Sequence, residues 1–335
     1  MSSDASDGSR GRAVIKDTMS KVKYGVILLP YNVSFARILD ATRRAKDLGF
    51  HSVWISDHIQ RDDVPTLECW TTISAICSST SKIRVGSLAT CNSFRNPVLL
   101  AKIVATASQI SNGRVDLAIG VGYDREEHTR NGYAFESLSK RIELLSETLH
   151  IVKALWKSRE ATFFEGNRWQ IKSAICEPKP VGEIKIWVAG RNEKLISVAS
   201  KAGVYGMNIL PYSGVLSDRR LSSFSELASI SEYISSRSLK KSIYCGDGGA
   251  IIGTSKLDYQ RRLAKIAKLL NLSQKQLEER QGNLSIVRGT AEDCRESIDK
   301  LIDLGFEELM FIFPGWQEGD YSNMDLFAEE FIQKG

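Results

Sequence analysis

Residues 114–128 read RVDLAIGVGYDREEH and predict a short buried strand that runs into a turn. Apolar side chains alternate along residues 115–119, which is the period of a strand. Gly120 and Gly122 follow, and a turn without Cβ atoms lets backbone N–H groups approach a planar ring or a phosphate closely. Residues 123–128 are polar or ionisable. This order is typical of the rim of a functional site, although a plain strand-to-helix turn with a solvated helix start fits it too.

The rest of the chain repeats this alternation of strands and helices. The predicted strands are residues 22–28, 51–56, 82–89, 115–119, 185–189, 205–210, 242–253 and 308–313. The predicted helices are residues 35–48, 66–79, 97–111, 137–156, 193–201, 223–235, 256–270, 273–281, 290–304 and 324–332. Eight strands separated by helices predict an α/β protein with one (β/α)8 TIM barrel. The alternative, a doubly wound sheet, is disfavoured because residues 31–34 carry no GxGxxG fingerprint after the first strand.

Three segments depart from this rhythm. Residues 161–171 predict a hairpin insertion around Glu165-Gly166-Asn167. Strand signals are weakest within residues 211–283, which we interpret as a variable insertion. Residues 1–20 are rich in Ser, Asp, Gly and Arg and predict a disordered tail. The barrel, with its insertions, is expected to form a single domain over residues 21–335.

Composition excludes several classes of protein. A net charge of +5 with scattered basic residues argues against nucleic-acid binding. No apolar run approaches the ~18 residues that a membrane span needs. The six cysteines have no paired CxxC spacing, which indicates reduced thiols in a cytoplasmic protein. The four histidines form no HxH or HxxxH pair, so we expect no dedicated metal site.

Two groups of residues at predicted strand ends can carry chemistry, because active sites of TIM barrels lie at the carboxyl ends of the strands. Asp57-His58 places a carboxylate beside an imidazole, a pair that can relay a proton or hold a substrate. The alternative is a capping Asp with a surface His. Gly190-Arg191 precedes a predicted helix start, where free backbone N–H groups can form an anion pocket. The alternative is that Asn192 only caps that helix.

A series of motifs extends along most of the chain. They are YGVILLP, AKDLGFHSVWISDH, IRVGSLAT, FRNPVLLAK, NGRVDLAIGVGYDREEH, ALW, EPKP, IWVAGRNEK and VRGTAEDCRESIDKLIDLGFEELMFIFPG. In order and spacing they resemble the signatures of the bacterial-luciferase-like flavin and deazaflavin family. The resemblance covers residues 22–210 and 284–332 and is strongest to the F420-dependent branch. It implies a (β/α)8 barrel that holds F420 or FMN, usually as a homodimer.

The resemblance also implies roles for the strand ends. An Asp-His pair after the second strand lies near the reactive edge of the deazaflavin in such proteins, and Asp57-His58 matches it. A non-prolyl cis peptide after the third strand supports the ring from behind, and alignment places it at Ser87-Leu88. We expect Asp57, His58 and Glu126 to be catalytic. The residues expected to bind the cofactor are Ser87, Leu88, Ala89, Gly120, Gly122, His128, Ala189, Gly190 and Arg191, the last three at its phosphate.

The resemblance predicts an F420-dependent oxidoreductase that transfers a hydride between C5 of the deazaflavin and a small organic substrate. The alternatives are an FMN-dependent monooxygenase of the same family and a non-catalytic flavin- or deazaflavin-binding relative. Arg125 and His128 stand where a sugar-phosphate-oxidising relative has Glu and Asn, which argues against that substrate. Apolar residues within 69–76 and 99–110 are expected to form a self-complementary patch between two copies.

Overall fold

A computed structural model describes residues 22–61, 63–213, 220–245 and 248–334. The predicted disordered tail, residues 1–20, lies outside the described residues. The strands are β1 Lys23–Leu28, β2 Ser52–Ile55, β3 Arg84–Cys91, β4 Val115–Gly120, β5 Thr162–Glu165, β6 Gln170–Ala174, β7 Ile186–Ala189, β8 Gly206–Ile209, β9 Tyr212–Ser213, β10 Arg220–Leu221, β11 Lys240–Cys245, β12 Ile251–Gly253, β13 Arg288–Thr290 and β14 Glu308–Phe311. The α-helices are α1 Phe35–Asp47, α2 Cys69–Ser79, α3 Pro97–Ser111, α4 Arg125–Arg130, α5 Leu138–Lys157, α6 Glu193–Lys201, α7 Phe224–Ser235, α8 Lys256–Leu269, α9 Gln274–Leu284, α10 Ala291–Asp303 and α11 Ser322–Ala328.

Eight of these strands close into a parallel barrel in the order β1-β2-β3-β4-β7-β8-β11-β14, with β14 paired to β1. The predicted (β/α)8 fold is therefore confirmed. The hairpin β5–β6 lies outside the barrel between β4 and β7, as the sequence predicts. Among the described residues, no helix combines the length and the apolar character that a bilayer crossing requires.

The range 211–283 is not a simple insertion, because it contains the barrel strand β11 and the helix α7. The single strand predicted for residues 242–253 is also wrong. The chain leaves the barrel after β11, and Gly249 crosses beside Pro314 with a positive φ of 69°. The next strand, β12, pairs with β13 outside the barrel. Sequence periodicity cannot distinguish two short strands with different partners from one irregular strand.

The helix predicted to begin at residue 66 begins at Cys69 instead. Leu67 donates its N–H to the carbonyl oxygen of Pro30 at 3.0 Å, so the loop after β2 is tied to the loop after β1. Glu68 then caps α2 by accepting the N–H of Thr71. The closing helix α11 also differs from the prediction, because residues 329–333 continue as a π-helical turn.

The barrel interior is filled by large apolar side chains that face glycines. The interior cluster comprises Ile27, Trp54, Leu88, Ala118, Trp187, Met310 and Ile312. A Cβ atom on Gly86 would lie 2.4 Å from Cζ3 of Trp54, so the absence of a side chain on β3 makes room for the indole of β2. The barrel is therefore a packed core, and only its carboxyl end is available for chemistry.

A buried polar layer lies at the amino end of the barrel. Ser52 donates its hydroxyl hydrogen to Glu308 at 2.7 Å and accepts the indole N–H of Trp54 at 2.8 Å. Arg84 binds the Asp116 carboxylate with two nitrogens, at 2.8 and 2.5 Å. Burial raises the pKa of Glu308 to about 7, and the nearby Asp116 carboxylate also raises it. This layer lies at the end of the barrel opposite the strands' carboxyl ends, and residues at the amino end contribute to stability.

Candidate active site

A buried histidine–glutamate pair lies at the carboxyl ends of β2 and β4. Nδ1 of His58 is 2.7 Å from Oε2 of Glu127, and the two side chains are 9% and 5% exposed. The other carboxylate oxygen of Glu127 accepts the N–H of Ile59 at 2.8 Å. Asp124 caps α4 by accepting the N–H of Glu127 at 3.0 Å, and this fixes the helix phase that turns Glu127 toward β2. The pair can hold or move a proton at a defined atom.

Glu126, which the sequence analysis placed among the catalytic residues, lies on the exposed face of α4. Its side chain is 69% exposed and pairs with Arg130 at 2.5 Å. The structure therefore does not support a catalytic role for Glu126 and brings Glu127 to the site instead. The signal that identifies Glu127 is the capping residue Asp124, which makes Glu127 the third residue of the helix.

Asp57 does not pair with its neighbour His58. Its carboxylate is held by Arg95 at 2.6 and 2.8 Å and accepts the N–H of Cys91 at 2.8 Å. Asp57 is only 5% exposed. The geometry therefore gives Asp57 the role of fixing the end of β3 rather than a place in a proton relay.

The bulge at the end of β3 contains the non-prolyl cis peptide, which lies at Leu88-Ala89. The prediction of Ser87-Leu88 is wrong by one residue. Ser87 is still in register with Ile55 and Leu117, and the register shifts only after it. Ser87 is fully buried and donates its hydroxyl hydrogen to the carbonyl oxygen of Ala118, so it supports the bulge from within the sheet.

Three small residues lie side by side at the carboxyl ends of β3, β4 and β7. A Cβ atom built on Gly120 would be 3.7 Å from Cβ of Ala189 and 3.8 Å from Cβ of Ala89. Ala89, Gly120 and Ala189 form a flat apolar surface that we call the small-residue floor, and Leu88 lies next to it. Asn92 follows β3, is 2% exposed, and neither polar atom of its amide has a partner among the described residues. A buried amide of this kind is commonly satisfied by water or a ligand.

The turn after β4 requires glycine at position 122. Gly122 has a φ of +76°, and a Cβ atom there would be 2.9 Å from both Sγ of Cys91 and Cε1 of His128. His128 is 1% exposed, donates from Nδ1 to the carbonyl oxygen of Asp124, and has a pKa lowered by burial. His128 therefore packs against the turn, and its contact with the cofactor stays a prediction.

The predicted anion pocket lies where β7 leads into α6. Arg191 donates from Nη1 to the carbonyl oxygen of Tyr212 and to Oγ of Ser222, both at 2.7 Å. Gly190 has a φ of +138°, and Asn192 caps the helix by accepting the N–H of Lys194. Asn192 is therefore a helix cap, and a guanidinium lies beside the amino end of the same helix, while the anion pocket stays a prediction.

Two tyrosines enclose the His58 ring, and the sequence analysis did not assign either of them to the site. The rings of Tyr31 and Tyr123 each make an edge contact with the imidazole, with centroids 5.8 Å away. The hydroxyl of Tyr31 is 2.6 Å from Oγ of Ser56, and burial raises the pKa of Tyr31, so this phenol is neutral. The hydroxyl of Tyr123 is 3.3 Å from Nε2 of His58 and accepts a hydrogen bond from Arg61 at 2.9 Å.

The sequence profile of the luciferase-like monooxygenase family matches residues 19–212. The chain belongs to this family. Within the part of the chain that the structure describes, no group of three or more His, Cys, Asp or Glu side chains is arranged to hold a metal ion.

Curated relatives of this family member include F420-dependent glucose-6-phosphate dehydrogenases. The protein of Intrasporangium calvum is 25% identical over 321 residues, which are 88% of this chain and 93% of the relative. That of Amycolatopsis mediterranei is 28% identical over 166 residues, 48% of this chain and 49% of the relative. For the latter, as for the dehydrogenase of Kineococcus radiotolerans, the chain spans about half of the relative's length.

Solved structures share the fold over nearly the whole chain. An F420-dependent secondary alcohol dehydrogenase in complex with an F420-acetone adduct superposes with a TM-score of 0.73, at 18% identity, over 92% of this chain and 98% of the other. The oxygenating constituent of a 3,6-diketocamphane monooxygenase from Pseudomonas putida, in complex with FMN, gives 0.71 at 18% identity over 94% and 97%. At such identities the likeness shows the common barrel alone.

Proposed function

We propose that this family member is an F420-dependent oxidoreductase that transfers a hydride between C5 of the deazaflavin and a small organic substrate. The observation that carries the proposal is the buried His58–Glu127 pair, which lies at the carboxyl end of the barrel like the cis peptide at Leu88-Ala89. The F420-dependent names of the curated relatives support the choice of cofactor.

The residues at the carboxyl end fit such a cofactor. The small-residue floor of Ala89, Gly120 and Ala189 accommodates a planar ring, and the unpartnered buried amide of Asn92 offers a polar contact. Arg191, beside the amino end of α6, is suited to an anionic phosphate. When bound, the deazaflavin supplies hydride transfer at C5, and the protein's part is to position the reacting carbons and exclude water.

His58 is the residue that we propose for handling the proton that accompanies hydride transfer. Glu127 orients its ring through Nδ1 and stabilises the imidazolium that forms when the other nitrogen gains a proton. Glu127 also accepts the N–H of Ile59, so the same carboxylate fixes the backbone that follows His58. Removing one member of such a buried pair leaves the other uncompensated, so each of the two side chains depends on its partner.

The cofactor assignment predicts the outcome of equilibrium titration. We expect the purified chain to bind F420 tightly, as measured by quenching or polarisation of deazaflavin fluorescence, and to bind FMN at least about tenfold more weakly. A tenfold ratio corresponds to about 1.4 kcal/mol of binding free energy. Tight binding of FMN without binding of F420 would contradict the proposal and favour an FMN-dependent monooxygenase.

Tight F420 binding without turnover of bound cofactor would instead favour a carrier. The test mixes the F420-loaded protein with secondary alcohols, glucose 6-phosphate, tetrahydropterins or activated enones. Stopped-flow spectroscopy records the redox state of the bound cofactor. We expect at least one class to change the redox state of the cofactor. Failure of every class would contradict the catalytic proposal.

We also propose a homodimer that pairs through α3. The apolar residues of 69–76 are unavailable for an interface, because Cys69, Trp70, Ile73 and Ile76 are at most 2% exposed within one chain. Leu99 and Ile110 on α3 remain 53% and 44% exposed. Light scattering at micromolar concentration is expected to give twice the chain mass of 37.3 kDa, and Leu99→Glu is expected to shift the protein toward monomer. A monomeric wild type would contradict the proposal.

A cytoplasmic location completes the proposal. All six cysteines lie among the described residues, where they are buried and form no disulfide. Free cysteines of this kind are typical of proteins in a reducing compartment.

A further inference from the structure

A cleft of about 790 Å³ opens at the amino end of the barrel, opposite the candidate active site. It is lined by Lys23, His51 and Lys82, which lie at the starts of β1, β2 and β3. The apolar side chains that line the remainder are Tyr24, Phe50, Ile83, Phe331 and Ile332. We call this space the amino-end cleft. Its volume is that of a pocket for a small organic molecule and exceeds what a single inorganic ion fills.

The basic side chains of the amino-end cleft outnumber the acidic ones. Among the described residues that line it, the one carboxylate is that of Asp47, which is paired with Lys46 at 2.6 Å. Lys23 and Lys82 form no ion pair or side-chain hydrogen bond with any described residue. Two ammonium groups without a counter-charge create a positive potential, and a concave surface concentrates it. The cleft therefore favours an anion.

The buried polar layer beside the cleft adds to this positive potential. Lys185 lies 5.0 Å from the ring centroid of Tyr205 and forms no ion pair within the described part of the chain. Asp116 is engaged by Arg84. Burial raises the pKa of Glu308 to about 7, so this acid is only partly ionised at neutral pH. The layer thus leaves the lysines at this end of the barrel without a full counter-charge.

His51 is a second and independent sign of a missing ligand. Its Nε2 atom is buried and has no hydrogen-bond partner among the described residues. Burial, together with the nearby charges of Lys23, Lys185 and Arg84, lowers the pKa of His51 to about 4, so the ring is neutral at physiological pH. A buried polar atom of this kind is commonly satisfied by water or a ligand. An oxyanion in the cleft would pair with the lysines and accept a hydrogen bond from the ring.

We propose that the amino-end cleft binds a small organic phosphate. Lys23, Lys82 and His51 hold the phosphate group, and the organic body occupies the rest of the cleft along its apolar side chains. A phosphate monoester has a charge of about −1.5 to −2 at neutral pH, which matches the two unpaired lysines. Because the barrel is a packed core, the occupant does not compete with a ligand at the carboxyl end. The inference is independent of the proposed function.

The first test uses the full chain without cofactor and reads binding at the cleft itself. The chain has four histidines, and carbon–proton NMR resolves their rings, with the His51 signal assigned by its loss in His51→Gln. The probes are phenyl phosphate, inorganic phosphate and phenol. We expect phenyl phosphate to move the His51 signal saturably, inorganic phosphate to move it only at higher concentration, and phenol to leave it in place. The signals of His58 and His128 report separately on binding at the carboxyl end.

The second test removes the lysines. Lys23→Gln/Lys82→Gln is expected to weaken phenyl phosphate binding about tenfold or more, by calorimetry and by the His51 signal. Lys82→Gln alone, at an exposed position, should weaken it about threefold. The matched control is Lys172→Gln/Lys275→Gln, which removes two exposed lysines from β6 and α9 outside the barrel. Charges that far away are screened by salt, so this variant should stay within about twofold of wild type.

Three outcomes would overturn the proposal. The first is a His51 signal that neither phosphate moves. The second is equal weakening of phenyl phosphate binding in the two double variants, because the lysines of the cleft would then have no special part in it. The third is inorganic phosphate that binds as tightly as phenyl phosphate, because the cleft would then hold no organic body.

Discussion

Glu127→Gln is expected to lower turnover about 10²- to 10⁴-fold while leaving F420 affinity within about threefold. The substitution keeps the size of the side chain but removes the negative charge that faces Nδ1 of His58 at 2.7 Å. An imidazolium that forms during the reaction then has no counter-charge in a buried environment. The measurement is steady-state kinetics with the substrate class that reacts in the cofactor panel.

The matched control is the neighbouring residue. Glu126→Gln removes the same charge one position earlier, but the Glu126 carboxylate is exposed and pairs with Arg130 across one helical turn. Such a pair contributes about 0.3–0.5 kcal/mol. We expect Glu126→Gln to stay within about twofold of wild-type turnover. A strong loss in Glu126→Gln with none in Glu127→Gln would contradict the assignment of the site.

The second large effect concerns stability and pH. Burial raises the pKa of Glu308 from 4.5 to about 7 in the folded protein, so the fold favours the neutral acid. The contribution of Glu308 to the free energy of unfolding is fully present below the pKa of the unfolded state, near 4.5. This contribution is lost as pH rises through about 7. A shift of this size corresponds to about 3 kcal/mol of unfolding free energy. Chemical denaturation at pH 5 and pH 8 is expected to show this loss.

Glu308→Gln should remove that pH dependence, because the amide stays neutral and can still accept the hydroxyl of Ser52. Glu307→Gln is the control. Glu307 is 43% exposed and pairs with Lys240 at the surface. The Glu307→Gln variant should therefore keep the wild-type slope of unfolding free energy against pH. Equal slopes in wild type and in Glu308→Gln would contradict the assignment of this pH dependence to Glu308.

The fold could be predicted from the sequence because each barrel strand is followed by local signals of its own. The helix α6 has the predicted bounds, β4 extends one residue beyond the predicted strand to Gly120, and Thr290 with Asp293 forms the predicted capping box before α10. The pairing of β12 with β13 could not be predicted, because it joins residues far apart in the chain. Local periodicity contains no information on such a partner.

The site was predicted only in outline. His58 and the β4 turn were identified as strand-end residues, but the choice between Glu126 and Glu127 depends on helix phase, and one residue along a helix rotates the side chain by about 100°. The cis peptide was displaced by one position for a similar reason, because the register on both sides of Ser87 decides where the bulge falls. The ion pair of Asp57 could not be predicted, because its partner, Arg95, comes from the next strand-end loop.

The short ladder between β12 and β13 separates residues 254–287 from the barrel sheet. Their helices α8 and α9 share a small core of Ile251, Leu263, Ile266, Ala267 and Leu277. The helix α8 is also tied to the loop after β14, where Lys265 pairs with Asp320 at 2.9 Å and Arg262 donates to the carbonyl oxygen of Ser322 at 3.0 Å. Because the cost of closing a loop grows slowly with its length, about 0.6 kcal/mol for a doubling, the part of the segment beyond α8 can lengthen or shrink with little effect on the barrel. During divergence it is therefore a region that can be exchanged between relatives. A chimera that keeps both strands of the ladder together with α8, and grafts a foreign segment after that helix, would inherit an intact scaffold.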